Sequence, residues 1–280
     1  MLRIGLALTL VAAACGGPPR ESADSESTSG TAARAATSAT TQPSTITPPE
    51  SSTTSTTTAL VTPTLVSGGI TLLDTTFSDG TPLFYAVVVP ADFDAAREYP
   101  VFLAMPPGAQ DAGLTYNVTE GWYLQEAVER GWVVISPAAP DNIPWFRGSE
   151  RYIEEFLDET LAWLRPEAGQ FHIGGVSNGG RSTFRILALH PKRFASVTVY
   201  PGYSEPGPDT AALAEATDIP FTLWVGGADT PWIPPMEATR DELEALGAAV
   251  TFEIIPDAPH VIPSLTDGVE IFDALEAARP

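Results

Sequence analysis

The chain of 280 residues is poor in cysteine, histidine and basic side chains. It holds one Cys, three His and 14 Lys or Arg against 35 Asp or Glu, which gives a formal net charge of −21. A single cysteine excludes a disulfide framework, and with only three histidines it argues against any metal site built on thiolates or imidazoles. The charge excludes general affinity for nucleic-acid phosphates or anionic lipid headgroups. The composition therefore indicates an acidic protein without a metal, another cofactor or a nucleic-acid partner.

Long apolar runs are also missing, except for one at the N-terminus. Residues 4–14 form an apolar run after a single basic residue, too short to span a bilayer as a helix, so residues 1–15 are predicted to be a signal peptide. The end of this run, Ala12-Ala13-Ala14-Cys15, resembles a bacterial lipobox, in which the cysteine is lipidated, although Leu is usual where this chain has Ala12. The same Ala-x-Ala would also serve ordinary signal peptidase and leave Cys15 unlipidated. The resemblance implies an exported protein, secreted or held at the membrane only through Cys15.

Residues 16–67 are predicted to be a disordered linker rich in Ser, Thr and Pro. Between residues 21 and 64, 23 of 44 positions are Ser or Thr and large apolar side chains are almost absent. Such a segment cannot bury enough apolar surface to offset the entropy of ordering. We expect it to hold a folded domain, residues 68–280, away from a membrane or a wall, and a passive spacer is the alternative.

From Ile70 onwards, short β-branched and aromatic runs alternate with segments of helical periodicity. The first two runs flank Ser78-Asp79-Gly80-Thr81 and predict a hairpin, and the strand–helix alternation after them is typical of a mainly parallel sheet with helices on both faces. The eight predicted strands are 70–77, 83–90, 100–104, 132–136, 171–175, 195–200, 220–225 and 249–255. The predicted helices are 118–130, 150–164, 179–189, 236–246 and 267–278. In such sheets ligands bind beyond the carboxyl ends of the strands, so residues just after each strand are the functional candidates.

The segment Gly175-Val176-Ser177-Asn178-Gly179-Gly180 lies between a predicted strand and a predicted helix. A G-x-S-x-G match alone is weak, but a serine on a tight strand-to-helix turn needs flanking residues without bulky side chains, and glycines stand there. The turn would raise the Ser177 hydroxyl above the sheet, beside a helix N-terminus that favours developing negative charge. The alternative is a glycine-rich turn with Ser177 as a helix cap.

A serine nucleophile needs a base, and the base needs a group that orients it. Of the three histidines, one lies inside the strand before Ser177 and one precedes a proline after the following helix. His260, in the loop after the last strand, is therefore the predicted base. Asp229 directly follows the strand 220–225 and is the predicted orienting acid. Asp257, three residues before His260, is the alternative.

The order Ser177, Asp229, His260 on such a sheet resembles the α/β-hydrolase superfamily. The S-N-G-G segment followed by His190-Pro191-Lys192-Arg193-Phe194 is similar to its polyhydroxybutyrate-depolymerase and feruloyl-esterase-like branch, over about residues 82–262. The resemblance implies an α/β-hydrolase fold: a mostly parallel eight-stranded sheet, helices on both faces and no large lid domain. It also implies a serine hydrolase that cleaves small-molecule or polymeric carboxylic esters through an acyl-enzyme, without a cofactor, and we expect the protein to be a monomer. A serine peptidase of the same fold and a non-catalytic surface-binding domain are the alternatives.

In that branch, the loop after the third strand usually reads L-H-G-x-x-Q and supplies one of the two N–H donors to the oxyanion. Here the loop is Met105-Pro106-Pro107-Gly108-Ala109-Gln110, and the two prolines have no N–H. Gly108 stands at the donor position, and the backbone of Asn178 is the second predicted donor. Gln110 either supports the loop or faces solvent, and the sequence does not decide between the two.

Three aromatic residues stand in loops at the expected mouth of the site. Trp232 follows Asp229, Tyr203 lies in a Pro/Gly-rich loop, and Trp145 lies beside Phe146 in a long loop after the strand 132–136. Apolar walls of this kind bind acyl or aryl groups, so all three are predicted to contact substrate, Trp232 first among them. Core filling at the loop bases is the alternative.

Overall fold

The computed structural model describes residues 63–280. The predicted signal peptide, Cys15 and most of the predicted linker lie outside the described residues. Residues 63–67, which the sequence assigns to the linker, lie inside them, and Leu65 packs against the core. Within residues 63–280, no helix has both the length and the apolar character needed to cross a membrane.

Eight strands form the central sheet, in the order β1-β2-β5-β4-β7-β8-β9-β10. Only β1 with β2 and β2 with β5 pair antiparallel, and all other neighbours are parallel. The prediction of a mostly parallel sheet with an antiparallel start is confirmed, and the pairing of β2 with β5 makes it a mixed sheet. The strands are β1 (Gly69–Thr76), β2 (Pro82–Val89), β4 (Val101–Met105), β5 (Val133–Pro137), β7 (Phe171–Gly175), β8 (Phe194–Val199), β9 (Phe221–Gly226) and β10 (Val250–Ile255), and the two-residue strands β3 (Glu98–Tyr99) and β6 (Arg165–Pro166) pair separately.

Residues 63–280 contain seven α-helices, six between strands and the last after β10: α1 (Ala112–Val118), α2 (Leu124–Arg130), α3 (Ile153–Leu161), α4 (Asn178–Leu189), α5 (Pro208–Leu213), α6 (Ile233–Ala245) and α7 (Val269–Ala277). The five predicted helices correspond to α2, α3, α4, α6 and α7. A π-helical turn at Thr119–Tyr123 joins α1 to α2, so the helical segment there begins earlier than predicted. The sequence also did not predict α5, which is only six residues long.

Two apolar clusters cover opposite faces of the sheet, because successive side chains of a strand point to opposite sides. On the fully buried β4, Val101, Leu103 and Met105 join one cluster, whereas Phe102 and Ala104 join the other. Side chains of α3, α4 and α6 complete the first cluster, and those of α2 and α7 complete the second. This packing on both faces explains why the central strands are continuous apolar runs.

The functional candidates lie at one edge of the sheet. β4, β7, β8, β9 and β10 are parallel, so their carboxyl ends meet at the same edge. The chain passes from β4 to β5 on one side and later returns to β7 on the other, which opens a crevice between the loops that follow β4 and β7. Ser177 follows β7, and Gly108 follows β4.

Candidate active site

Ser177 occupies a sharp turn between β7 and α4. Its backbone has φ 60° and ψ −120°, a conformation that is unusual for a residue with a side chain, and its N–H donates to the Pro201 carbonyl at 2.7 Å. Gly179 makes this turn possible, since a Cβ there would collide with the Met105 carbonyl oxygen at the end of β4. The turn therefore presents the serine hydroxyl at the carboxyl edge of the sheet, at the start of α4.

The structure brings Ser177, His260 and Asp229 into one chain of hydrogen bonds. His260 Nε2 lies 2.9 Å from Ser177 Oγ, and His260 Nδ1 lies 2.6 Å from Asp229 Oδ2. With its hydrogen on Nδ1, the imidazole donates to the carboxylate and accepts from the serine hydroxyl. Asp229 is buried, while 36% of the His260 side chain is exposed. The acid is thus shielded from water, and the base stays open to a substrate.

Hydrogen bonds between the loops after β9 and β10 fix the distance between the acid and the base. The Ala228 N–H donates to the Ala258 carbonyl at 3.0 Å, and the Gly227 N–H donates to the Ile255 carbonyl at 2.8 Å. Asp257, the alternative acid, is exposed at φ 55°, and the carboxylate that meets His260 belongs to Asp229.

The other two histidines lie away from Ser177. His172 is buried within β7, with Nδ1 2.7 Å from Ser196 Oγ and its ring against Trp132, and burial lowers its pKa to about 4. His190 ends α4, and partial burial lowers its pKa as well. Both imidazoles are therefore neutral near pH 7, and neither touches the serine hydroxyl.

Gly108 and Asn178, the two predicted oxyanion donors, meet at the start of α4. Asn178 is the first residue of α4, and its side-chain Nδ2 donates to the Gly108 carbonyl at 2.8 Å, which draws the loop after β4 against the start of the helix. Among the hydrogen bonds of residues 63–280, none uses the backbone N–H of Gly108 or Asn178 as a donor. Both residues are partly exposed.

An aromatic surface continues outward from His260. The Trp232 ring lies 4.8 Å from the His260 ring, and the Tyr203 ring lies 5.1 Å from Trp232. The Arg181 guanidinium packs over Tyr203 at 5.2 Å and over Phe146 at 4.1 Å, and it pairs with Glu205. We call Trp232, Tyr203 and Phe146 the aromatic wall, and all three are partly exposed.

The predicted contact of Trp145 with substrate is wrong. Its side chain is fully buried, and the indole Nε1–H donates to the carbonyls of Pro137 and Ala138 at 3.3 and 3.2 Å. Phe146, the next residue, is partly exposed and packs against the Arg181 guanidinium as part of the aromatic wall. The sequence places both aromatic residues in this loop, and the prediction chose Trp145 because nothing in an irregular loop tells which of two adjacent aromatic side chains points inward.

The described residues 63–280 contain no group of three or more His, Cys, Asp or Glu side chains placed to hold a metal ion. The candidate groups at this edge of the sheet are a serine hydroxyl, a histidine, a carboxylate and the backbone N–H groups of Gly108 and Asn178. This set matches the requirements of nucleophilic attack on a carbonyl group.

No known protein-family model matches the chain. Dipeptidyl-peptidase 5 of Porphyromonas gingivalis is 26% identical over 138 residues, which cover 45% of this chain and 20% of that protein. A solved thermostable esterase is 16% identical with a TM-score of 0.63, over 75% of this chain and 63% of that one. The S-formylglutathione hydrolase of Agrobacterium tumefaciens is 19% identical with a TM-score of 0.59, over 77% of this chain and 98% of that one.

The similarity to these two solved structures shows that the folded part of the described chain has the α/β-hydrolase fold. The match spans about a fifth of the length of the dipeptidyl-peptidase and less than two thirds of the thermostable esterase. At identities of 16% and 19% the two solved structures establish the fold alone. The activity depends on the side chains at the site, which a shared fold does not specify.

Proposed function

We propose that the chain is an exported serine hydrolase that cleaves carboxylic esters through an acyl-enzyme. The observation that carries the proposal is the chain of hydrogen bonds from Ser177 through His260 to Asp229, at 2.9 and 2.6 Å. These three side chains lie at the carboxyl edge of the sheet, and the backbone N–H groups of Gly108 and Asn178 nearby donate to no other group in residues 63–280. A serine that only capped α4 would not need a base and a buried acid aligned behind it.

In the first half of the reaction, Ser177 Oγ bonds to the ester carbonyl carbon while its proton moves to His260 Nε2. The electron pair of the carbonyl π bond moves onto the oxygen, which accepts hydrogen bonds from the N–H groups of Gly108 and Asn178. Asp229 holds the imidazole by Nδ1–H and stabilises its positive charge. When the intermediate collapses, the bond to the alcohol oxygen breaks, and His260 gives its proton to the leaving alcohol.

Water completes the cycle by the same steps. His260 Nε2 removes a proton from a water molecule as its oxygen attacks the acyl carbon, and the same two N–H groups bind the second oxyanion. Collapse breaks the bond to Ser177 Oγ, which takes the proton back from His260. The products are one acid and one alcohol, and no cofactor takes part.

The aromatic wall favours a substrate ester that carries an apolar acyl or aryl group. Trp232 offers a flat, partly exposed surface beside His260, and Tyr203 extends this surface on the other side of Trp232. The segment between β8 and β9 carries only the short α5 and a 3₁₀ turn and no inserted lid domain, which favours a polymeric substrate such as a polyester. In this proposal residues 1–15 direct export, Cys15 anchors the protein, and a monomer acts beyond the linker.

A serine peptidase of the same fold is the second candidate, and the similarity to a dipeptidyl-peptidase favours it. An enzyme that removes dipeptides must hold a positively charged amine, which calls for a free carboxylate near the acyl side. Glu205 is the acid next to the aromatic wall, but its carboxylate is paired with Arg181. This pairing favours an uncharged ester over a peptide with a free amine.

A fluorophosphonate probe followed by a substrate panel tests the proposal. We expect the purified chain to react with one equivalent of the probe and to hydrolyse p-nitrophenyl, feruloyl and polyester substrates faster than a dipeptidyl p-nitroanilide. Faster release of the anilide would establish the peptidase instead. A folded chain that neither reacts with the probe nor turns over any substrate would establish a non-catalytic binding domain.

Replacing Trp232 by alanine should weaken the binding of aryl esters. The change removes the flat surface beside His260 and leaves the hydrogen bonds of the base intact, so we expect KM for a feruloyl ester to rise about tenfold, as for the loss of a stacked aromatic contact. KM for an acetyl ester should change less than twofold. Trp232→Phe is the matched control and should restore most of the binding. An equal rise in KM for both esters would contradict a substrate role.

A further inference from the structure

The loop that carries Gly108 has two consecutive residues that cannot donate backbone hydrogen bonds. Pro106 and Pro107 follow β4 directly and are buried. One backbone bond, from the Gln110 N–H to the Pro107 carbonyl at 2.9 Å, closes the turn. Gly108 adopts φ 60°, and a Cβ there would lie 2.9 Å from Leu114 Cδ1. The position of this loop must therefore be set by donors from outside the proline pair.

The side chain of Gln110 supplies that donor. It is fully buried, and its Nε2 donates to the Pro106 carbonyl at 2.8 Å and lies 3.0 Å from Ser182 Oγ on α4. Its Oε1 accepts from the Trp145 N–H at 2.9 Å. One amide thus joins the Gly108 loop, the helix that begins beside Ser177 and the loop after β5. Its polar atoms are all engaged, as burial demands.

The backbone of Gln110 is strained. Gln110 has φ 57°, in the left-handed region that residues other than glycine rarely adopt. Its carbonyl accepts from the Ala139 N–H at 2.6 Å, so the strained residue is held from both its backbone and its side chain. Strain of this kind persists only where the surrounding contacts impose it, and it concentrates near functional sites.

We propose that Gln110 is a positioning residue for the oxyanion donor of Gly108. Its amide fixes the Pro106 carbonyl relative to α4, while Asn178 Nδ2 fixes the Gly108 carbonyl on the other side of the proline pair. Between these two ties, the Gly108 N–H keeps a constant place relative to Ser177 Oγ, although Pro106 and Pro107 contribute no donor. The inference rests on the proposed hydrolase function and concerns how the site is held, not what touches the substrate.

Gln110→Met tests the proposal, because methionine matches the length of glutamine and lacks both amide atoms. Removing an oxyanion donor outright typically costs 10²- to 10³-fold in kcat, so misplacing it should lower kcat about 10- to 100-fold while KM stays within about threefold. The inhibition constant of a trifluoromethyl ketone, which forms a tetrahedral adduct on the serine, should rise by the same factor as kcat/KM falls. When its carboxyl is ionised, Gln110→Glu keeps the acceptor for Trp145 and loses the donor to Pro106, and at such a pH it should show the same pattern.

Thr160→Val is the matched control for loss of a buried hydrogen bond. Thr160 lies on α3, is buried, and donates to the Phe156 carbonyl at 2.9 Å. We expect it to lower the midpoint of thermal unfolding without changing kcat or the inhibition constant.

Three results would overturn the proposal. The first is a folded Gln110 variant that keeps kcat within twofold, and the second is a fall in kcat without a matching rise in the inhibition constant. The third is failure of both Gln110 variants to fold where Thr160→Val folds, which assigns Gln110 to stability alone. A wild-type chain without esterase activity is a separate result, visible before any variant is made, and it removes the proposed function itself.

Discussion

Replacing Ser177 by alanine should lower the rate of ester hydrolysis about 10⁴- to 10⁶-fold, the range found when the nucleophile of a Ser-His-Asp site is removed. Without Oγ no acyl-enzyme forms, and His260 has no hydroxyl to deprotonate. The residual rate would come from the two N–H donors and from binding alone. Hydrolysis of a p-nitrophenyl ester measures the loss, and the fluorophosphonate probe should no longer label the variant.

The Ser177→Ala variant should fold as the wild type does. Alanine adopts the backbone conformation of Ser177 no worse than serine, and the N–H to Pro201 that holds the turn is retained. The Ser177 hydroxyl makes one side-chain hydrogen bond in residues 63–280, to His260, and the variant removes only this one. Ser264→Ala, an exposed serine in the turn after His260, is the control and should keep full activity. An active Ser177→Ala variant with a wild-type melting curve would contradict the assignment of the nucleophile.

The sheet and the positions of Ser177, Asp229 and His260 could be predicted because each depends on local sequence. Apolar runs of strand length mark β7, β9 and β10, and the three side chains follow those strands within five residues. Parallel strands then bring their carboxyl ends together without further information. The roles of the three residues remain predictions until the variants are measured.

The support of the oxyanion loop could not be predicted, because it depends on contacts between distant parts of the chain. Gln110 meets Ser182, 72 residues later, and Trp145, 35 residues later. No periodicity records such pairs. The same holds for Trp145 and Phe146, whose directions depend on the carbonyls that happen to lie beneath the loop. The early start of the helical segment at Ala112 was missed because the π-helical turn interrupts the 3.6-residue period.

The Asp229→Asn variant should have a kcat/KM about 10³- to 10⁴-fold lower than that of the wild type, and it should keep the fold. If the amide presents its NH₂ group to His260, Nδ1 must accept, so the ring hydrogen moves to Nε2 and the base can no longer accept from Ser177. If the amide presents its oxygen, the tautomer is preserved, but the imidazolium loses a buried negative charge 2.6 Å away. Both arrangements impair proton transfer, and the pH profile of kcat/KM for a p-nitrophenyl ester measures the effect.

Asp257→Asn is the matched control, since it makes the same chemical change three residues before His260. Asp257 is exposed and lies in the same loop as the base, but it does not meet the imidazole, so its variant should keep kcat/KM within about twofold. The comparison separates the two acids that the sequence left open, because the two variants differ only in which carboxylate is neutralised. A large loss at position 257 with little effect at position 229 would transfer the orienting role to the loop acid. It would also mean that the hydrogen bond between Asp229 and His260 holds the two loops together without serving catalysis.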